Sequence, residues 1–80
     1  MKLWLLRPKD EGALEWKTWH NCMFGFVVCG QDERAARMEA AKLAGDEGPG
    51  AWLERPSSSC VELTADGPAR VIMSDRNRAQ

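Results

Sequence analysis

The single histidine of the chain lies two positions from one of its three cysteines, in the run His20-Asn21-Cys22. On an extended segment, residues two apart point the same way, so the imidazole and the thiol would share one side. Two chemistries use such a pair. As ligands, His20 and Cys22 together with the more distant Cys29 and Cys60 could surround a zinc ion. Structural zinc sites, however, set paired ligands close together on a knuckle, and no Cys-x-x-Cys occurs here. As base and nucleophile, His20 and Cys22 lack an orienting third group. Ser57, Ser58 and Ser59 have no histidine near them in sequence, and there is no phosphate-cradling glycine loop and no carboxylate array for a metal. The sequence therefore predicts no catalytic residue, no metal and no cofactor. A small metal-dependent or thiol enzyme built on His20 and Cys22 is the reading it supports least. Cys29 and Cys60 suit small core positions on strands.

Residues suited to binding are more prominent. Four tryptophans, two phenylalanines and no tyrosine occur in 80 residues. Tryptophan and arginine dominate interface hot spots, and tryptophan also fills small cores. Trp4 and Trp52 sit in apolar surroundings and read as core. Trp16 and Trp19 sit in a polar stretch, where one helical turn would set them on a common face, and they read as exposed contact residues. Asp46 and Glu47 follow a helical segment, Glu54 follows Trp52, and Glu62 and Asp66 belong to a predicted hairpin. These five acids are expected to gather on one side and, with Trp16 and Trp19, to form a partner-binding patch. An ordinary solvated charged face is the plainer alternative.

The totals narrow the classes further. Eleven basic and twelve acidic side chains leave a net charge of −1, without the basic excess of a nucleic-acid binder or the acidity of a full DNA mimic. Direct nucleic-acid binding is not expected. Leu3-Trp4-Leu5-Leu6 is interrupted by Arg7-Pro8, so no segment approaches a membrane span or a secretory core. Three cysteines at irregular positions predict a reduced, cytoplasmic protein. The length allows one domain, expected over residues 1–75, with 76–80 as a frayed tail.

The elements that must position these residues follow from local pattern. Residues 2–7 are a short apolar run closed by Pro8 and predict a strand. A polar connection spans 8–22. The most apolar stretch, Met23 to Gly30, predicts a central strand, and Gly25 within it predicts close approach of an indole. Asp32 is placed to cap a helix over Glu33 to Ala44, an alanine-rich run free of Gly and Pro. Its buried side is expected to carry Ala36, Ala40, Leu43 and Ala44, with Arg34, Arg37 and Glu39 elsewhere, and Gly45 is expected to stop it. Gly45 to Ser59 reads as a loop in which Trp52 and Leu53 plug the core edge. Cys60 to Thr64 alternates as a strand, and a turn over Ala65 to Pro68 leads to a last strand, Ala69 to Ser74.

The predicted fold is a small two-layer α+β domain: a four-stranded antiparallel sheet with one helix, in ββαββ order. One helix covers one face of such a sheet, yet the first two strands are apolar on both faces. The surplus apolar face is either an interface or is covered by the loops carrying Trp16, Trp19 and Trp52. Monomer and weak homodimer both remain open.

The segments MKLWLLRP, FGFVV, ARMEAAKLAGDEG, AWL, CVELT and DGPARVI together resemble a small phage and prophage-encoded protein family, and within it type I-C anti-CRISPR proteins. The resemblance runs from about Met1 to Asp75. It implies a non-enzymatic inhibitor acting in the host bacterial cytoplasm on the type I-C Cascade surveillance complex or its recruited nuclease-helicase. Blocking of target-DNA binding is the mechanism favoured, with Asp46, Glu47, Glu54, Glu62 and Asp66 occupying basic groups of the partner. The alternative is a protein-interaction module of a phage or mobile element with no CRISPR role.

Overall fold

The computed structural model describes residues 1–10, 16 and 21–74. Trp19 and His20 lie outside the described residues, as does the expected tail over 76–80. Three strands form one antiparallel sheet: β1 (Lys2–Pro8), β2 (Phe26–Gly30) and β3 (Ser58–Leu63), in the order β2-β1-β3. Two helices lie between β2 and β3 in the chain: α1 (Glu33–Lys42) and the single turn α2 (Gly50–Leu53).

This corrects the predicted four-stranded sheet with one helix. The segment from Ala69 to Ser74 does not join the sheet, and Val71 is 81% exposed. The turn before it closes on itself instead: the Arg70 guanidinium donates to the carbonyls of Thr64 and Pro68, each at 3.0 Å, around Gly67 at φ +98°. That arrangement occupies the Thr64 carbonyl just beyond β3. Val71, Ile72 and Met73 are also three apolar residues in succession, a pattern without the two-residue alternation of a half-buried strand. The second helix lies inside the predicted 45–59 loop. Pro49, at φ −64° and ψ −30°, already holds the backbone conformation that starts α2, despite the surrounding glycines.

The central strand is β1, not the more apolar β2. Leu5 pairs with Val27 on one side and with Val61 on the other; Leu6 pairs with Phe26 and Cys60. A strand bonded on both edges with a helix on one face has use for apolar residues at both parities, as β1 has. Leu6, Trp4, Phe26, Val28 and Cys60 share the face that receives the helices.

Asp32 caps α1 as expected, its Oδ1 accepting from the Ala35 N–H at 2.8 Å. Ala36 and Ala40 are fully buried, and Gly30 lets the sheet approach, since a Cβ there would meet the Ala36 backbone nitrogen at 3.2 Å. The helix ends at Lys42 with Leu43 as its C-cap, which turns Leu43 outward rather than into the core. Gly45 has a different role from a helix stop. A side chain there would collide with the Asn21 carbonyl, which accepts from the Asp46 N–H at 3.0 Å. At Gly25 the close neighbour is the Arg7 stem, with Cδ 3.2 Å from where a Cβ would sit, rather than an indole.

The buried core comprises Leu6, Ala36, Ala40, Ala51 and two tryptophans, Trp16 and Trp52. With one leucine and three alanines as the other members, the indoles supply most of the buried volume. Trp52 packs edge-to-face against Phe26 at 4.9 Å and against Trp16 at 5.5 Å between ring centroids.

Candidate protein-binding surface

Alternation along the three strands assigns a second set of side chains to the opposite sheet face: Leu3 and Leu5 from β1, Val27 and Cys29 from β2, Val61 and Leu63 from β3. The register sets Leu3 between Cys29 and Leu63 and sets Leu5 between Val27 and Val61, so the six form two contiguous rows. None belongs to the core cluster. Leu3 is 50% exposed, Val27 and Val61 each 56%, and Cys29 is also exposed. No carboxylate occupies this face within the strands, and Arg7 and Ser59 lie at one end of it.

Among the described residues, Trp4, Trp16 and Trp52 all lie on the helix side and not on this face. Phe26 and Leu6 are paired in register and point to the helix side, where Trp52 packs edge-to-face on Phe26 and Trp16 packs edge-to-face on Trp52. The exposed apolar area is on the order of 400 Å², within the range of the largest patch on an ordinary monomer, which is often functional.

The residues singled out from sequence are placed elsewhere. Trp16, expected to be exposed, is buried, and its Nε1–H donates to the Met23 carbonyl at 2.9 Å. Burial of an indole needs such an acceptor, and the Met23 carbonyl supplies it. Trp19 is outside the described residues. Glu47, expected at the patch, is buried and used internally. Its Oε2 accepts from the Trp52 Nε1–H at 2.6 Å and the Gly45 N–H at 3.1 Å, and its Oε1 accepts from the Met23 N–H at 3.0 Å. Trp16 and Glu47 are therefore brought together, but through Trp52 and inside the fold.

Asp46, Glu54, Glu62 and Asp66 are all exposed. Glu54 precedes the Ser58 end of β3 and Glu62 lies near the other end, which separates them by a strand rise of roughly 13 Å or more. Glu62 projects on the helix-side face, opposite Trp4 in register, with Lys2 Nζ at 3.8 Å. Asp66 stands in the turn beyond β3.

The chemistry first sought around the thiols lacks support from their surroundings. Burial, followed by the Glu47 and Asp46 carboxylates, pushes the Cys22 thiol up, and burial pushes Cys60 up. A nucleophilic thiol or metal ligand is favoured by the opposite shift. Among the described residues no group of three or more His, Cys, Asp or Glu side chains could hold a metal ion. No described helix is long and apolar enough to cross a membrane.

Arg37 is the buried charge that sequence periodicity placed off the core. Its Nε donates to Glu33 Oε2 at 2.8 Å, one terminal nitrogen to the Trp52 carbonyl at 2.9 Å and to Ser58 Oγ at 2.8 Å, and the other to the Ser58 carbonyl at 2.8 Å. One guanidinium thus joins α1, the end of α2 and the start of β3. The Glu33–Arg37 spacing of four was visible in sequence, whereas the acceptors at 52 and 58 were not.

Among the described residues the fold is a small α+β domain with one sheet face covered by the helices and Leu3, Val27, Cys29 and Val61 exposed on the other. No protein-family model, curated protein or solved structure matches the chain.

Proposed function

We propose that the chain is a non-enzymatic binding protein that engages a protein partner through the bare sheet face, and that this partner is the type I-C Cascade complex. The observation that supports binding is the contiguous, carboxylate-free apolar surface of Leu3, Leu5, Val27, Cys29, Val61 and Leu63. The area also bears on the kind of partner. Self-pairing of two such faces would bury on the order of 800 Å² in total, below the roughly 1,200 Å² typical of a stable specific interface. A larger protein that also reaches around the sheet edges meets that requirement better than a second copy. The choice of Cascade rests on the resemblance of the MKLWLLRP, FGFVV and CVELT segments to type I-C anti-CRISPR proteins. On this reading the protein acts in the host cytoplasm, occludes target-DNA binding, and carries exposed carboxylates at Asp46, Glu54, Glu62 and Asp66 that steer encounter with a basic partner from outside the contact itself.

The test is a mobility-shift assay of purified type I-C Cascade on its target duplex, with and without excess protein. Inhibition by the native chain, lost in Val27→Lys/Val61→Lys, is the expected result. Undiminished DNA binding in the presence of excess protein would remove Cascade blockade and leave the interaction module without a CRISPR role. Inhibition retained by the double variant would place the contact on another surface. Both substituted side chains are exposed, so a native circular dichroism spectrum is expected for the variant.

A further inference from the structure

A second surface lies on the other side of the molecule, where α1 and the exit of α2 leave a groove of about 440 Å³ lined by Glu33, Arg34, Arg37, Met38, Leu53 and Arg55. We infer that this groove binds an acidic segment of a protein partner, one in which a carboxylate adjoins an aliphatic side chain. The inference is independent of the sheet-face reading.

Its charge runs against that of the chain. Three guanidinium groups and one carboxylate line the groove, in a protein whose net charge is −1. Arg37 is held in place by the Trp52 and Ser58 oxygens, so its positive charge is fixed beneath the groove. Glu33 is already occupied by Arg37 at 2.8 Å and Arg55 at 3.3 Å, which leaves it little power to repel an incoming carboxylate. The Arg55 side chain is 78% exposed and has further N–H donors to offer, and Arg34 makes no ion pair among the described residues. Met38 on α1 and Leu53 at the end of α2 both line the groove with about half their surface exposed. Bidentate guanidinium–carboxylate contact above an aliphatic floor is the arrangement that recognises a Glu or Asp beside a Leu.

The shape favours part of a macromolecule over a free small molecule, which needs a site that encloses most of its surface. A nucleic-acid strand is disfavoured because among the described residues no aromatic ring lines the groove for base stacking and Glu33 stands among the cations.

The probe is the peptide acetyl-Ala-Glu-Leu-Asp-Ala-amide, titrated into the ¹⁵N-labelled full chain and followed by NMR. Saturable shifts centred on Arg34, Met38, Leu53 and Arg55 are expected, weakening with added salt. Binding should fall at least fivefold in Arg34→Glu/Arg55→Glu, and likewise when Leu in the peptide is replaced by Gly. Absence of shifts at millimolar peptide, equal binding by a Lys-Leu-Lys analogue, or undiminished binding by the double variant would each overturn the proposal. Tighter binding of an oligothymidylate at the same residues would overturn it in favour of a phosphate-backbone site. Should the double variant lose its native spectrum, Leu53→Gln replaces it, because Leu53 is half-exposed and the same fivefold loss is expected.

Discussion

The Trp52 indole donates to Glu47 Oε2 across 2.6 Å with both residues buried, which fastens the largest core side chain to the segment joining the two helices. The same carboxylate accepts from the Met23 and Gly45 backbones, so one side chain joins three stretches of chain: the approach to β2, the exit of α1, and α2. A buried carboxylate is tolerated only when its lone pairs are used, and here three donors use them.

Glu47→Ala leaves those three donors without their acceptor and is expected to lower unfolding free energy by about 2–4 kcal/mol. For a domain of this size that is a large part of the total stability. Glu47→Gln keeps one carbonyl oxygen and should cost less. Urea unfolding monitored by tryptophan fluorescence checks both; a midpoint for Glu47→Ala equal to that of the native chain would contradict the structural role.

The Glu33 carboxyl is held below its ordinary value, first by the hydrogen bond from Arg37 and then by the charges of Arg55 and Arg37. A folded-state value below the unfolded one means that Glu33 adds stability in full above the usual carboxylate range and loses it as pH falls through the depressed value. Glu33→Gln should therefore flatten the decline of stability below about pH 4.5 while leaving its shape near neutrality unchanged. Arg37→Met should weaken the same acid dependence, leaving only the Arg55 contribution, and cost about 3 kcal/mol, because Glu33 loses its closer donor and the oxygens of Trp52 and Ser58 lose theirs. Arg37→Lys is not a rescue, since an ammonium lacks the forked geometry that reaches all of them. Thermal unfolding from pH 3 to 7 measures each variant.

Cys29 is exposed on the bare sheet face, whereas Cys60 lies on the helix side of the sheet with its thiol pushed up by burial. Iodoacetamide at neutral pH should modify Cys29 well before Cys60. If the bare face is the interface, Cascade should protect Cys29 in the complex and leave the order of modification unchanged in the free protein. Mass spectrometry of alkylated peptides reads both; unchanged Cys29 labelling in the complex would place the contact elsewhere.

Some of this was legible from neighbouring residues alone. Asp32 before an alanine-rich run specifies where α1 begins, because the cap and the helix hydrogen bonds are made within four residues. The apolar residues at both parities of β1 likewise announced a surface beyond the core's needs. The place of Glu47 was misread for a physical reason. Adjacent Asp46 and Glu47 are equivalent in sequence, but one points to solvent and the other accepts from Trp52, a distinction set by packing.

By itself, then, the sequence determined the strand and helix segments whose causes are local: a short apolar run closed by Pro8 in β1, period-two alternation in β3, helix propensity and a cap in α1, and a surplus of apolar side chains. Only the tertiary structure decided that β1 is central, that Trp16 and Trp52 fill the helix side, that Arg37 and Glu47 are internal, and that Ala69–Ser74 stays off the sheet. Each of these depends on groups far apart in the chain meeting a particular hydrogen-bond acceptor or a particular face. The bare sheet face belongs to both: its residues were present in the alternation, and the direction in which the tryptophans folded left them exposed.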